Sequence, residues 1–203
     1  MGQFVISEIK GKYKLINPNG EYLFDYLFDS IVEFKNGFFK VQLYNKGWNY
    51  INTEGKLISN QWFNWIGTFV NGYAQVEMND KWNFINPEGK LISKQWFDEI
   101  GLFYYGFASV KLHKQWNYIN TDGKIISEQW FDYVKDFFQD LGEVILDEKG
   151  NFLNPDGKLI SDQWFDCVYN TYNGYAKVVL KDKYNFINAK GKLTYEKWFE
   201  YKY

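Results

Sequence analysis

The sequence predicts an all-β protein made of six tandem antiparallel β units of about 34 residues each. A Gln-Trp-Phe triplet recurs at a constant interval, at 61–63, 95–97, 129–131 and 163–165, and Lys-Trp-Phe follows at 197–199. An Asn-x-x-Gly turn also recurs six times. A fixed period in this range is typical of a chain that repeats one small unit, which buries its apolar face against the next.

The third unit shows how each segment is interpreted. Residues 82–86 are aromatic and β-branched, which favours a strand. Residues 86–89 contain the Pro and Gly of a turn, and 90–93 are expected to return as a strand. Residues 95–100 are expected to be extended, and 106–112 alternate as a last strand does. Three or four strands in one unit leave no room for a helix of useful length.

The units follow one another without a linker, so one domain is predicted over residues 1–203. Two arrangements fit this pattern. The N-terminal strand would complete the last unit and close a propeller-like ring, which removes exposed strand edges. Alternatively, the units form an open β-solenoid-like stack whose terminal strands cap it. The predicted units are 11–46, 47–80, 81–114, 115–148, 149–182, and 183–203 together with 1–10.

Composition excludes several classes of function. The net charge is −2 and all 23 basic residues are Lys, dispersed among acids, so no nucleic-acid partner is expected. No apolar run approaches the length of a membrane span, and no membrane partner is expected. The N-terminus does not resemble a secretory signal. The predicted location is the cytoplasm, with a phage particle or export without a signal as alternatives.

No arrangement of side chains predicts catalysis, a metal or a cofactor. The single His113 lies in a predicted turn, and the single Cys167 is expected to pack as a small apolar residue. Acids recur at one repeat position, and this recurrence predicts a structural role, such as bonding a backbone N–H of the neighbouring turn. The protein is therefore predicted not to be an enzyme. The recurring acids are Asp29, Asp98, Asp132 and Asp166.

These elements resemble the WG-type β-repeat family, which is found in many bacterial proteins. The resemblance rests on the strand 82–86, Glu88-Gly89-Lys90, Phe97-Asp98 and the Gly-x-Ala-x-Val pattern of 106–110, and about six units cover nearly the whole chain. The chain departs from the family in having Asn after the opening Trp, where Gly is usual. The resemblance implies a β-rich repeat scaffold thought to mediate binding, with no activity common to the family.

Two sets of residues are candidates for binding. Adjacent residues of a strand point to opposite faces, so Phe97 is assigned to packing and Trp96 to the other face. The repeated tryptophans would then form a stripe that stacks on sugar rings or partner side chains. Alternatively, they pack between units. The stripe comprises Trp62, Trp96, Trp130, Trp164 and Trp198.

The second set is an acidic patch at the junction of the fourth and fifth units, where the repeat pattern breaks. Asp136, Asp140 and Glu143 lie there, and the opening Trp becomes Gly150. The break is either tolerated drift or a contact for a partner. Together these features predict a non-catalytic module that binds a protein through its repeat surface. The alternative is a lectin-like module that binds a saccharide through the tryptophan stripe.

Overall fold

The fold consists of β-strands joined by turns, as the sequence predicts. The computed structural model describes residues 4–33, 38–52, 54–172 and 174–200. Within these ranges there is no helix, and so none with the length and apolar character to cross a membrane. Internal contacts divide the chain into two compact units, Met1–Leu91 and Ile92–Tyr203, which are described separately. The single domain over 1–203 stays a prediction.

The first compact unit, Met1–Leu91, holds three antiparallel sheets, with the orders β1-β2, β3-β4-β5 and β6-β7-β8. Its strands are β1 (Val5–Ile9), β2 (Lys12–Ile16), β3 (Ser30–Glu33), β4 (Phe39–Leu43), β5 (Gly47–Ile51), β6 (Trp65–Ile66), β7 (Ala74–Met78) and β8 (Lys81–Ile85).

The second compact unit, Ile92–Tyr203, also holds three antiparallel sheets, with the orders β9-β10-β11, β12-β13-β14 and β15-β16-β17-β18. Its strands are β9 (Glu99–Ile100), β10 (Phe107–Leu112), β11 (Gln115–Asn120), β12 (Tyr133–Val134), β13 (Gly142–Leu146), β14 (Lys149–Leu153), β15 (Cys167–Tyr172), β16 (Tyr175–Leu180), β17 (Lys183–Asn188) and β18 (Phe199–Glu200).

A three-stranded sheet consists of one short strand and one hairpin. In β9-β10-β11, Ile100 faces Val110, and Val110 faces Asn117 across the hairpin. The hairpin turns through His113 and Lys114, whose φ angles are +50° and +73°. The positive φ of both turn residues matches the twist of the paired strands. Each sheet therefore combines the last strand of one predicted unit with the first strand of the next.

The return strand predicted after each Asn-x-x-Gly turn is not continuous. Beside β11, Ile125 bridges Ile119 and Phe131 bridges Trp116, but no ladder joins the two bridges. Between them the side chain of Asn117 donates to the carbonyls of residues 127 and 129, where strand partners would otherwise bond. The edge of β11 is thus covered by bridges and a side chain instead of a strand.

The core lies where the phenylalanine of each Gln-Trp-Phe triplet meets the sheets, whereas Phe199 of the Lys-Trp-Phe triplet is exposed. Phe63, Phe97, Phe131 and Phe165 are all buried, which confirms the assignment of Phe97 to packing. One cluster of the second unit combines Tyr118, Phe131, Val134, Phe137, Val144 and Leu153. In the first unit, Leu15, Phe28 and Val41 belong to a corresponding cluster.

At the two ends of the chain, β1 pairs with β2, and β18 pairs with β17. The closing contact predicted for a ring falls partly on residues 1–3 and 201–203, which lie outside the described residues. The ring and the open stack therefore both stay predictions.

Candidate functional site

The recurring aspartates hold the hairpin turns, as the sequence predicts. Each carboxylate accepts the backbone N–H of the residue fifteen positions later, at the start of a turn. The Tyr44 N–H, and then Lys12, lower the pKa of Asp29, and Lys149, followed by the Lys181 N–H, lowers that of Asp166. The bonds run from Tyr44 to Asp29 (2.6 Å), His113 to Asp98 (2.8 Å), Asp147 to Asp132 (2.8 Å) and Lys181 to Asp166 (2.6 Å).

The other residues considered for chemistry lie apart from one another. His113 is the exposed first residue of its turn. Cys167 is exposed at the start of β15, so the prediction that it packs inside was wrong. Its outward direction follows from the register, since the next residue, Val168, is the buried one. Within the described ranges, no cluster of three or more His, Cys, Asp or Glu could hold a metal ion.

The five tryptophans of the predicted stripe are half-buried. Trp62 packs against the core cluster that contains Leu15 and Phe28. The Trp164 ring lies 6.5 Å from that of Phe131, and the Trp198 ring lies 6.4 Å from that of Phe165. These three indoles therefore contact the core of the preceding repeat with part of their surface. The half-buried set is Trp62, Trp96, Trp130, Trp164 and Trp198.

A buried asparagine follows the opening position in five of the repeats, where four of the opening residues are aromatic, and it was not singled out for a role from the sequence. The Asn117 amide donates to the carbonyls of Ser127 (2.9 Å) and Gln129 (2.9 Å), and its oxygen accepts the N–H of Tyr118 (2.8 Å). Its recurrence at the same position of successive repeats was the available signal. The members are Asn49, Asn83, Asn117, Asn151 and Asn185, all fully buried.

An open cleft of about 620 Å³ lies between the sheets β9-β10-β11 and β12-β13-β14. Two aromatic pairs shape it. The Trp116 and Tyr133 rings are 6.4 Å apart, and the Tyr105 and Phe138 rings are 5.3 Å apart. Tyr105, Tyr133 and Phe138 expose 58%, 50% and 42% of their surface. The polar lining residues are Ser109, Lys135 and Asp136.

The predicted acidic patch divides at this cleft. Asp136 lines it, whereas Glu143 is buried behind it and forms an ion pair of 2.5 Å with the lining residue Lys135. Burial raises the pKa of Glu143, and Lys135 partly offsets that rise. Asp140 is exposed between Phe138 and Leu141 and does not line the cleft. The irregular segment is thus adjacent to a concave surface.

Tyr118 fixes the backbone of that segment from below. Its hydroxyl lies 2.7 Å from the carbonyl oxygens of both Lys135 and Glu143, and its single proton is shared between these two acceptors. Burial, and then the charge of Glu143, raise the pKa of Tyr118 well above its usual range, so the hydroxyl keeps its proton. Because Tyr118 is fully buried, its hydroxyl links the backbone of the cleft residue Lys135 to the core.

The aromatic lining of the cleft was not predicted from the sequence. Trp116 stands 34 residues after Trp82, the opening residue of the strand predicted over 82–86, and the repeat pattern assigns no binding role to Trp116, Tyr104, Tyr105 or Phe138. The signal that could have revealed the cleft is the repeat position of Ser109, because an alignment of the units places Ser109 where Lys40 stands. A short side chain at that position leaves space between neighbouring sheets.

A model of the family described as WG containing repeat matches four consecutive segments of the chain, residues 15–46, 48–82, 84–116 and 116–149. Together these segments span more than half of the sequence and include the strands on both sides of the cleft. No curated protein matches the sequence.

Several solved structures share low similarity with this chain. Hsv2 from Kluyveromyces lactis is 10% identical with a TM-score of 0.39, over 92% of this chain and 71% of that one. BamB from Moraxella catarrhalis is 11% identical with a TM-score of 0.36, over 98% and 74%. A protein of unknown function from Bacteroides caccae is 16% identical with a TM-score of 0.29, over 93% and 89%.

Proposed function

Because the chain belongs to the family of WG-containing repeats, we propose that it is a non-catalytic interaction module that binds a protein partner. The binding surface is the cleft between the sheets β9-β10-β11 and β12-β13-β14, with its aromatic rim. A ligand there contacts two neighbouring repeats at once, which a single repeat unit would not allow.

The exposed aromatic rim of the cleft is the observation that carries this proposal. Large aromatic side chains in water are unfavourable, and a group of them around a concavity is typical of a binding site. Tyr105, Tyr133 and Phe138 are each more than 40% exposed and border the same cleft. Its volume of about 620 Å³ lies within the roughly 300–1,000 Å³ usual for ligand sites.

A protein ligand is better supported than a saccharide. The saccharide alternative places its ligand on the repeated tryptophans, which must then offer free ring faces for stacking. Trp62, Trp164 and Trp198 instead contact the cores of preceding repeats. The cleft combines aromatic surface with a lysine and a carboxylate, which suits the mixed side chains of a polypeptide.

Peptide selection tests the proposal. A library of random peptides is selected on the purified chain, and the enriched peptides are titrated by fluorescence polarisation. The cleft variant carries Tyr133→Ser and Phe138→Ser. The control is Tyr44→Ser, because Tyr44 is 91% exposed and lies in the other compact unit.

We expect the cleft variant to bind at least about tenfold more weakly, since aromatic residues at the centre of an interface often contribute more than about 1.4 kcal/mol. The control should change affinity by less than about twofold. Enriched peptides that bind the cleft variant as tightly as the wild type would place the binding surface elsewhere and contradict the proposal. Failure to enrich any peptide that depends on the cleft would count against it equally.

A further inference from the structure

The cleft lies at a repeat position that a lysine fills in another repeat. Ser109 faces Tyr118 across the hairpin of β10 and β11, and Lys40 faces Tyr50 across the hairpin of β4 and β5. The two tyrosines have the same role, since Tyr50 donates its hydroxyl to the carbonyl of Gly67 as Tyr118 does to that of Lys135. Ser109 and Lys40 are therefore equivalent residues in two repeats.

Lys40 shows which chemical group this position accommodates. Its ammonium group donates to the carbonyl of Ile66 at 2.6 Å and lies 4.4 Å from the ring centroid of Trp48. It lies 5.6 Å from the ring of Trp65. A carbonyl oxygen and two ring faces together replace part of the hydration shell of a cation. Burial lowers the pKa of Lys40, as expected for an ammonium taken partly out of water.

A second repeat places an ammonium on the same ring position. Lys177 is the equivalent of Lys40 in β16, and its ammonium lies 4.9 Å from the ring centroid of Tyr184. Tyr184 is in turn the equivalent of Trp48, because it opens the partner strand of the hairpin. Two repeats thus place an ammonium on an aromatic ring at this position, whereas Gln75 and Glu143 occupy the same position in β7 and β13.

The cleft keeps the groups around Lys40 but lacks the lysine. Trp116, Tyr133 and Val134 stand at the positions of Trp48, Trp65 and Ile66, and all three line the cleft. Ser109 is too short to cross the space that Lys40 spans. A ligand with an ammonium group at the end of a flexible chain would restore from outside the contacts that Lys40 makes from inside.

The charges at the cleft favour such a ligand. Asp136 occupies the position of Thr68, so the repeat with Ser109 in place of a lysine is followed by a carboxylate where the repeat of Lys40 has a hydroxyl. Lys135 also lines the cleft, but Glu143 pairs with it at 2.5 Å. The second carboxylate oxygen of Glu143 is buried and makes no hydrogen bond within the described part of the chain.

One further cation, Lys111, lies near the aromatic wall. Its ammonium is 5.2 Å from the Trp116 ring centroid, and Glu99 binds it at 2.6 Å. Neither Lys111 nor Glu99 lines the cleft. Because Lys135 pairs with Glu143 and Lys111 with Glu99, the carboxylate of Asp136 adds negative charge to the cleft.

We propose that the cleft binds a lysine side chain of the protein partner, with the ammonium group between Trp116 and Tyr133 and close to Asp136. This inference rests on the proposed function and names the chemistry that the partner must present. The volume of the cleft exceeds one side chain, and the rim formed by Tyr105 and Phe138 would contact the flanking residues of the partner.

A titration with small probes tests the proposal. The probe is Nα-acetyl-L-lysine N-methylamide, followed by chemical shifts of the backbone amides of 133–138 and of the indole N–H signals. The matched controls are the norleucine compound, which lacks the ammonium, and the Nε-acetylated lysine compound, which lacks the charge. Cadaverine serves as a free diamine with the same ammonium group but no peptide groups.

We expect saturable shifts at 133–138 with the lysine compound and at least about tenfold weaker binding of both controls. Asp136→Asn should weaken binding by about fivefold or more. Ser109→Lys should abolish binding, because the new lysine side chain would occupy the space in the cleft that the ligand's ammonium group needs. Asp136→Asn is nearly isosteric at an exposed position, so it tests the proposal even if Ser109→Lys disturbs folding.

Equal binding of the norleucine compound, or binding that Asp136→Asn leaves unchanged, would overturn the proposal. Binding of cadaverine without binding of the blocked lysine would also overturn it, because the ligand would then be a free amine. The proposed function has a separate outcome. If selected peptides need Tyr133 and Phe138 but contain no lysine and tolerate Asp136→Asn, the interaction module stands and the lysine specificity fails.

Discussion

At the scale of single residues, the buried asparagines bind the segment that follows the Asn-x-x-Gly turn. Asn49 donates to the carbonyls of residues 59 (2.8 Å) and 61 (3.0 Å), and it accepts the N–H of Tyr50 (2.8 Å). A glycine, usual at this position in the resembling family, could make none of these bonds. The asparagine thus replaces ladder hydrogen bonds with side-chain ones and lets the chain bend where a strand was expected.

Replacing this asparagine should be costly. Asn49→Ala leaves two carbonyls and one N–H without their partner, and three lost bonds correspond to about 3 kcal/mol of unfolding free energy. Asn60→Ala is the matched control, because Asn60 is exposed and lies between the two carbonyls that Asn49 binds. The control should change stability by less than about 0.5 kcal/mol. If urea unfolding shows the same loss of unfolding free energy for Asn49→Ala and Asn60→Ala, the role of Asn49 is contradicted.

A second residue-scale prediction concerns the buried carboxylate of Glu143. Its pKa is raised above the ordinary 4.5 because burial outweighs the ion pair with Lys135. The charged form therefore costs stability: the cost is absent well below pH 4.5, grows as the pH rises from 4.5 to the folded-state pKa, and is constant above it. Glu143→Gln removes the charge, so its stability relative to the wild type should increase from pH 4 to pH 7.

Urea unfolding of both proteins at pH 4, 5.5 and 7 measures this difference, and the pH 4 experiment is the internal control. A variant that is less stable by the same amount at every pH would mean that the bond to Lys135 matters more than the buried charge.

At the scale of elements, the hairpin of each repeat, such as β10 and β11, and the Asn-x-x-Gly turn after it were predictable from the sequence. The segment that runs from this turn to the next sheet was not. Alternation and an Asn-x-x-Gly turn report local geometry, which explains why β10 and β11 agree with the prediction. The recurring aspartates, too, were assigned correctly to turns. The return segment depends on a side chain, Asn117, that competes with a strand for two carbonyls. Periodicity carries no information about that competition.

The cleft was unpredictable for a different physical reason. Its walls belong to two sheets, and the space between them depends on how long the side chain at one repeat position is. The sequence pattern identified the irregular segment that contains Asp136 and Glu143, which proved to border the cleft. Asp140 and the tryptophan stripe were chosen on charge and recurrence alone, which do not indicate concavity.

A turn glycine provides the element-scale prediction. Gly157 has a φ of +75°, and a Cβ there would overlap the carbonyl oxygen of Ile126 in the preceding repeat. Gly20 has a φ of +86° at the corresponding turn, but a Cβ there meets no atom within 4 Å. Alanine at either position suffers the left-handed backbone strain of about 1–2 kcal/mol. Only Gly157→Ala also pushes two repeats apart, at a further cost of about 1–3 kcal/mol.

The two variants should therefore differ in urea unfolding, with Gly157→Ala the less stable. Gly20→Ala is the control for backbone strain. If both lose the same free energy, the close approach of the turn to the neighbouring repeat does not contribute to stability.

At the scale of the whole molecule, a repeated interaction adds its effect once per repeat. Asp29 and Asp166 lie in different compact units, and the pKa of each is lowered from 3.8 by a turn N–H and a lysine. A lowered pKa stabilises the folded chain above pH 3.8, and this stabilisation is lost as the pH falls through the folded-state value. Sites without shared partners are expected to contribute independently.

The double variant Asp29→Asn/Asp166→Asn should consequently show a smaller decrease of melting temperature between pH 4.5 and pH 2.5 than the wild type. At pH 7 it should melt at a lower temperature, because the amide still accepts the turn N–H but loses the ion pair with Lys12 or Lys149. Each single variant should give its own share of the change, and the two shares should sum to that of the double variant. A double variant as acid-sensitive as the wild type would mean that other carboxylates control acid unfolding. If the changes in melting temperature of the two single variants do not add up to that of the double variant, the two sites are coupled.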